Sequence, residues 1–299
     1  MDAAKLGVMK QGFITARIDS AADVGARQPL VPWWSFTKTV QATAALQLVA
    51  EGRLALDEPF DNRPFTLRHL LQHRAGVPEY GALPAYQAAV RNGDKPWDVA
   101  QLLERVGADR LDFEPGQGWR YSNVGYFFIR SKIEEITGQD IGSALRQLVF
   151  DPLGLSSVRT ATSASDLANT AWGNPGGYDP GWVYHGLLVG TAHDAAQFLH
   201  KLMTGEVLQR DLLAEMTTPV PLGGPLQDRP WQTTGYGLGL MIGNMTSAGS
   251  AIGHSGAGPG SVSAVYHFND FTTPRTVAAF ARADDEGITE YEAARLASA

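Results

Sequence analysis

Ser35-Phe36-Thr37-Lys38 sets a hydroxyl and an amine three residues apart. A free serine hydroxyl is a weak nucleophile near neutral pH and needs a base beside it. Three residues is nearly one helical turn, so at the start of a helix Lys38 would share a face with Ser35 and reach it. The spacing alone is weak evidence, since an S-x-x-K pair arises by chance about once in a chain of this length. Taken singly, Ser35 reads as a helix N-cap and Lys38 as a solvated helix residue. Two further short motifs accompany the pair, Tyr121-Ser122-Asn123 and His254-Ser255-Gly256, and each of the three patterns occurs once.

The elements that must position these residues follow from periodicity and punctuation. Residues 12–19 are β-branched and aromatic enough for a strand. Residues 36–51 are rich in Ala, Leu and Val with no Gly or Pro, and Gly52 stands at the usual stop position, which predicts a helix with its N-terminus at Ser35. From about Asp57 to Trp172 the pattern is mostly helical, with helices expected over 66–72, 97–106, 126–136 and 141–149 and loops at Glu114-Pro115-Gly116 and Asn174-Pro175-Gly176-Gly177. A helix over 192–203 precedes strands over 239–242, 261–268 and 276–282 and a closing helix over 290–299. The expected fold class is α/β in the α+β sense, an antiparallel sheet flanked by helices with a helical subdomain inserted. The α/β part would take 1–58 and 173–299, the helical part 59–172. The Tyr121 motif then lies in a loop entering a helix of the inserted lobe, and the His254 motif at the start of the late strands.

With these motifs in this order, 86 and 133 residues apart, the chain resembles the serine β-lactamase and penicillin-binding-protein superfamily, on the branch of class C β-lactamases, esterases and DD-peptidases. The flanking text carries the resemblance as much as the triplets do: Thr66-Leu-Arg-His-Leu-Leu-Gln-His-Arg-Ala-Gly76, Pro115-Gly116 through Tyr126, Asp151-Pro-Leu-Gly-Leu155, Tyr236-Gly-Leu-Gly239 and Gly253-His-Ser-Gly-Ala257. It runs from about Pro32 to the C-terminus, while the first thirty residues are shorter than the two leading strands it calls for. The implied activity is hydrolysis of an ester, amide or lactam through an acyl-serine. Ser35 would attack the carbonyl carbon, and its backbone N–H, at a helix N-terminus, would point where an oxyanion develops. The resemblance supplies the Ala257 N–H, after His-Ser-Gly256, as the second donor. The helix dipole and burial both disfavour a charged Lys38. By the same resemblance Tyr121 shares the base role and protonates the leaving group. Asn123 orients Lys38 or the substrate. His254 hydrogen-bonds a substrate carboxylate or the Tyr121 oxygen. No metal or organic cofactor is implied.

Where most β-lactamases of the branch resemble Lys-Thr-Gly, this chain has His-Ser-Gly. A largely neutral imidazole grips a carboxylate less than an ammonium does, so a small-molecule carboxylesterase or amidase is expected ahead of a β-lactamase or D-alanyl-D-alanine carboxypeptidase. A non-catalytic penicillin-binding-like module is the alternative of another class, and retention of both Ser35 and Lys38 counts against it. A neutral His254 would give activity an acid limb near the ordinary imidazole value of about 6.5.

Other patterns carry less. His69 and His73 are four apart, a spacing able to hold Zn²⁺, but the Glu of H-E-x-x-H is missing and a turn-capping role near Gly76 is expected. Gly253 to Ala257 imitates a G-x-S-x-G elbow without its last glycine, so Ser255 is rejected as nucleophile. Trp33 and Trp34 could rim an acyl pocket or sit in the core.

The bulk numbers bound the rest. The 299 residues are 44% hydrophobic and 18% charged, which suits a globular chain with ample core. Net charge is −7, against nucleic acid or an anionic membrane as partner. A small-molecule acyl substrate is the expected partner, and no oligomeric state is legible. There are no cysteines, hence no disulfide or thiol chemistry. No apolar leader is visible in Met1-Asp2-Ala3-Ala4-Lys5, and no stretch of about 18 apolar residues exists, so the chain as given reads as cytoplasmic, as a chain trimmed of its leader also would.

Overall fold

A computed structural model describes residues 12–19 and 28–299. Strands β1 (Phe13–Ile18), β2 (Val31–Pro32), β3 (Arg159–Ala161), β4 (Leu187–Gly190), β5 (Val220–Gly223), β6 (Trp231–Tyr236), β7 (Met241–Met245), β8 (Gly249–Gly258), β9 (Ser261–Phe268) and β10 (Arg275–Ala281) form two sheets. Among the described residues the larger has seven strands, ordered β1-β10-β9-β8-β7-β6-β5, and the smaller has three, ordered β2-β4-β3. Every pairing is antiparallel. β3 comes from the largely helical stretch and pairs with β4 beyond it, so the small sheet ties the two parts of the chain together.

The helices are α1 (Thr37–Ala50), α2 (Leu67–Leu71), α3 (Pro84–Asn92), α4 (Val99–Val106), α5 (Asn123–Thr137), α6 (Ile141–Leu145), α7 (Asp151–Leu153), α8 (Ala164–Ala168), α9 (Ala192–Met203), α10 (Arg210–Met216) and α11 (Glu286–Ser298). The closing helix starts four residues earlier than the sequence suggests, because Asp285 caps it through a bond from the Gly287 N–H. α3 was not expected: Pro84 sits at its first turn, where a proline starts a helix as readily as it ends one. The expected helix over 141–149 is α6 followed by a wider turn, Arg146–Phe150.

The side-chain alternation of β9 and β10 divides the core in two. Val265, Ala278 and Phe280 face α9 and the main cluster, while Ala264, Tyr266, Val277 and Ala279 face α11. α1 is buried nearly all round, eleven of its fourteen residues, as expected of a helix without a polar face. Its threonines satisfy themselves inside the protein: Thr39 donates to the Gly239 carbonyl at 2.8 Å and Thr43 to the Thr39 carbonyl at 2.9 Å. Gly239 is required there on two counts, a φ of +77° and a backbone so close to α1 that a Cβ would lie 2.5 Å from that of Ala42. Among the described residues no helix is long and apolar enough to cross a membrane.

Candidate active site

Ser35 lies in a single 3-10 turn, Trp34–Phe36, that leads into α1. Phe36, not Ser35, occupies the cap position of α1, and no side chain caps either element, so the Ser35 hydroxyl is not spent as an N-cap. Residues 31–34 and 36–40 are buried, and Ser35 alone of that run reaches solvent. Trp34 holds a φ of +45°, a left-handed conformation that a bulky residue adopts at a cost of about 1–3 kcal/mol. Two features hold it. The Trp34 indole N–H donates to Ser261 Oγ at 2.9 Å. The turn also lies flat on β8, where a Cβ on Gly256 would fall 2.5 Å from the Ser35 nitrogen and one on Gly258 2.3 Å from the Trp34 ring. The two tryptophans therefore divide the roles left open by the sequence: Trp33 is core, packed on Phe36, and Trp34 lines the cleft.

Lys38, fully buried, sits one turn on. Its Nζ is 3.3 Å from Ser35 Oγ, 2.7 Å from Asn123 Oδ1 and 3.1 Å from His185 Nε2. Burial lowers its pKa to about 7, against the opposing pull of the Glu79 and Glu286 carboxylates. Near neutral pH this amine is available as a base.

Tyr121 and Asn123 arrive from the lobe. Ser122 caps α5, accepting from the Gly125 N–H at 3.0 Å and donating to the Pro78 carbonyl at 3.0 Å, and this cap sets both neighbours. The Tyr121 ring lies under Lys38, 4.9 Å from Nζ to its centroid. Burial raises the Tyr121 pKa well above the usual phenol value, outweighing its hydrogen bond with Ser35, so it stands as a protonated phenol. Glu79, unnoticed in the sequence, takes the Asn123 side-chain N–H at 2.8 Å and also its backbone N–H. That bond decides which end of the amide is oxygen and turns Oδ1 onto Lys38.

His254 lies inside β8, among the late strands, and its ring is engaged differently from the expectation. The Ser122 N–H donates to His73 Nδ1 at 3.1 Å, so His73 carries its proton on Nε2 and donates to the Tyr236 oxygen at 3.2 Å. Tyr236 in turn donates to His254 Nε2 at 2.8 Å, and His254 Nδ1–H closes the chain on the Ser255 carbonyl. The ring lies tilted against Tyr121, centroids 6.2 Å apart, while its Nε2 is taken by Tyr236. Burial, then the Lys38 charge, lowers its pKa to about 3 and that of His73 well below the imidazole range. The expected acid limb from His254 near 6.5 is therefore corrected: this imidazole is neutral across the working range. Kinetics check this directly. Activity should rise with pH through about 7 as Lys38 loses its proton, and His254→Gln should leave the midpoint of that limb in place. A limb that moved in His254→Gln would reverse the assignment.

The two histidines at zinc spacing part company. His69 completes a capping box with Thr66 on α2, while His73, at φ +59°, has left the helix and turned into the site. Ser255 points to the face opposite His254 and Gly256, as alternation along β8 demands. It accepts from Arg229 Nη2 at 2.9 Å, and Arg229 is ion-paired with the fully buried Glu290, which also accepts from Trp231 and Tyr266. This cluster braces the strand from behind.

Ser35, Asn123, His185 and Ala257 open onto a cleft of about 370 Å³. Its walls are Trp34, Tyr80, Tyr86, Val90, Tyr178 and Val183. Among the described residues that line it, Arg91 is the one Lys or Arg, and it is exposed at the rim. The structure thus gathers Ser35, Lys38, Tyr121, Asn123 and Gly256 at one point, sets Ala257 on the same cleft, and places His254 beside the Tyr121 ring with its hydrogen bond turned away to Tyr236.

A serine turn with its lysine, laid on an antiparallel strand and met by a tyrosine and an asparagine from a helical lobe, defines a β-lactamase/transpeptidase-like fold. The chain belongs to the Beta-lactamase family, whose model matches residues 9–297 and so reaches further toward the N-terminus than the motifs suggest. It is 24% identical to penicillin-binding protein 4* of Bacillus subtilis (strain 168), over 89% of this chain and 63% of that protein. Over 40% of its length it is 34% identical to esterase EstB of Burkholderia gladioli, 36% of which is covered. The chain thus spans less than two thirds of the length of these curated relatives. Among solved structures, a D-stereospecific amidohydrolase from Streptomyces sp. matches with a TM-score of 0.78 at 28% identity, covering 96% of this chain and 93% of that one. A penicillin-binding protein from Bacillus halodurans, 19% identical with a TM-score of 0.74 over 98% of each chain, shares the fold.

Proposed function

We propose that this chain is a serine hydrolase that cleaves small, uncharged esters or amides through an acyl-Ser35 intermediate. The observation that carries the reading is a buried lysine 3.3 Å from the serine oxygen with its pKa brought to about 7. Lys38 takes the Ser35 proton as Oγ bonds to the carbonyl carbon, and the carbonyl π pair moves onto oxygen. The Ser35 and Ala257 N–H groups are the proposed donors to that oxyanion. As it collapses, the bond to the leaving group breaks, and the leaving atom receives a proton through Tyr121 from Lys38. Water then adds to the acyl carbon, giving its proton to Lys38, and Ser35 leaves reprotonated with the acid as product. Asn123 holds Lys38 in place throughout.

The substrate class follows from what the cleft offers. Its walls are largely aromatic and aliphatic, Arg91 at the rim is the one Lys or Arg among the described residues that line it, and His254 Nε2 is already an acceptor to Tyr236, so the interior offers a carboxylate no cation. This favours neutral acyl groups over the carboxylates of β-lactams and D-alanyl peptides. A second reading, an amidase for D-amino-acid amides, is favoured by the likeness to the Streptomyces amidohydrolase and by the Glu79 side chain, an acid bonded to Asn123 behind the cleft. One panel tests both: short p-nitrophenyl esters, D- and L-phenylalanine amides, and a chromogenic cephalosporin, with intact-mass detection of a fluorophosphonate adduct. Ester turnover ahead of cephalosporin with a single adduct on Ser35 is expected. D-amide turnover exceeding ester turnover moves the assignment to the second reading, and the absence of any adduct removes both.

A further inference from the structure

His185 is a buried histidine that no motif marks. It precedes β4, lines the cleft, and touches the catalytic lysine. Resting on the hydrolase reading above, we infer that His185 is a positioning residue: its Nε2 accepts one N–H of Lys38 and thereby turns the amine's lone pair onto the Ser35 hydroxyl.

The count of protons leads there. A neutral amine has two N–H bonds and one lone pair. Around Nζ stand Asn123 Oδ1 at 2.7 Å, His185 Nε2 at 3.1 Å and Ser35 Oγ at 3.3 Å. Asn123 Oδ1 only accepts, its amide being fixed by Glu79. Were His185 Nε2 protonated, it would donate to the lone pair and take it from the serine. It would also oppose an N–H of the ammonium form. With Nε2 as acceptor, both N–H bonds are spent and the lone pair is left for Ser35. Tyr121 and Tyr126 close the remaining sides with ring faces, 4.9 and 5.6 Å from Nζ. Glu79 and Glu286 are the anions that reach Lys38, and Lys38, Arg130, His254 and His73 are the groups that, with burial, hold His185 neutral.

The other ring nitrogen supplies independent support. With Nε2 accepting, the proton sits on Nδ1, which is buried with no hydrogen-bond partner among the described residues. Its neighbour Gln41 donates to the His185 carbonyl while its own Oε1 is buried without a partner among the described residues. A buried N–H without an acceptor destabilises a fold, and a phenylalanine would fill the same space without one. Packing gives no reason for an imidazole here, whereas Lys38 does.

The test is His185→Phe against His185→Gln, with His185→Leu as the substitute should the larger ring not fit. Rates are measured on a short p-nitrophenyl ester, and the Lys38 titration is followed by NMR of ¹³Cε-lysine-labelled protein, assigned with Lys38→Arg. His185→Phe should hold or raise Tm, by about 2–4 °C, and keep KM, while kcat at the pH plateau falls about 10- to 100-fold. Its Lys38 should titrate below the wild-type value, because the ammonium loses an acceptor and the apolar ring admits no water to replace it. His185→Gln, whose Oε1 can accept from Nζ, should stay within a few-fold of wild type with the titration unmoved. Unchanged kcat and titration in His185→Phe, or His185→Gln as slow as His185→Phe, overturns the proposal. If the titration shifts as stated but the wild type shows no Ser35-dependent hydrolysis, the placement of His185 stands and the hydrolase reading falls.

Discussion

Ser35→Ala should lower kcat/KM for short p-nitrophenyl esters by roughly 10⁴-fold or more, as loss of an acylating serine does elsewhere. The change deletes one oxygen from a half-buried position and leaves the backbone turn, the Trp34–Ser261 bond and the Gly256 contact untouched. Folding should therefore be preserved, and the loss should fall on kcat with substrate binding retained. Any residual rate would come from the backbone N–H groups polarising the carbonyl toward attack by water. The measurement is paired with intact-mass analysis: wild type gains one fluorophosphonate adduct and Ser35→Ala gains none. Equal esterase rates in the two proteins would dismiss Ser35 as nucleophile, whatever the adduct showed.

Lys38→Met should be nearly as severe, about 10³- to 10⁴-fold on kcat, the upper range for a general base. Methionine fits the buried stem but offers neither charge nor lone pair of use to Ser35. Unlike Ser35→Ala, this variant keeps its nucleophile, so it should still be labelled by fluorophosphonate, only slowly. Its pH dependence is the sharper readout. Lys38 must be neutral to act, so wild-type activity is lost as pH falls through about 7. In Lys38→Met that limb should vanish, since burial, the larger cause, still holds His73, His185 and His254 neutral once the Lys38 charge is gone, and holds Tyr121 protonated. A limb near 7 that survived the substitution would hand the base role to another group.

The chemistry-bearing residues were legible because they sit in short, local patterns. Ser35 and Lys38 are one turn apart, Tyr121 and Asn123 straddle an N-cap, and Gly256 follows His254 on one strand. The residues that tune them were not. His73 looks like the second half of a helical pair until a left-handed φ turns it inward, and Glu79, His185 and Tyr236 meet the site only through tertiary packing. β8 was nearly invisible for a physical reason. Gly249–Gly258 reads GSAIGHSGAG, with Ile252 its one β-branched residue, and it is a strand because β7 and β9 pair with it on both sides. The same glycines that erase its strand signal let the Ser35 turn lie against it. The direction of the His254 hydrogen bond could not be read at all, since it depends on a tyrosine eighteen residues away and a histidine in the lobe.

Trp34 binds two design problems into one residue. Its ring is part of the cleft wall, which under the proposed function would meet the acyl group, while its backbone, held left-handed, aims the neighbouring serine. Selectivity and reactivity are therefore coupled at this position, and enlarging the cleft by trimming that ring would also release the turn that presents the nucleophile. The far wall carries no such coupling. Tyr86, Gln87 and Val90 project from α3, and Tyr86 reaches the tryptophan side only at second hand, through Tyr178, whose ring meets Trp34 edge-on. A lineage or an engineer seeking new acyl groups would find its freedom on α3, and would find the tryptophan side fixed.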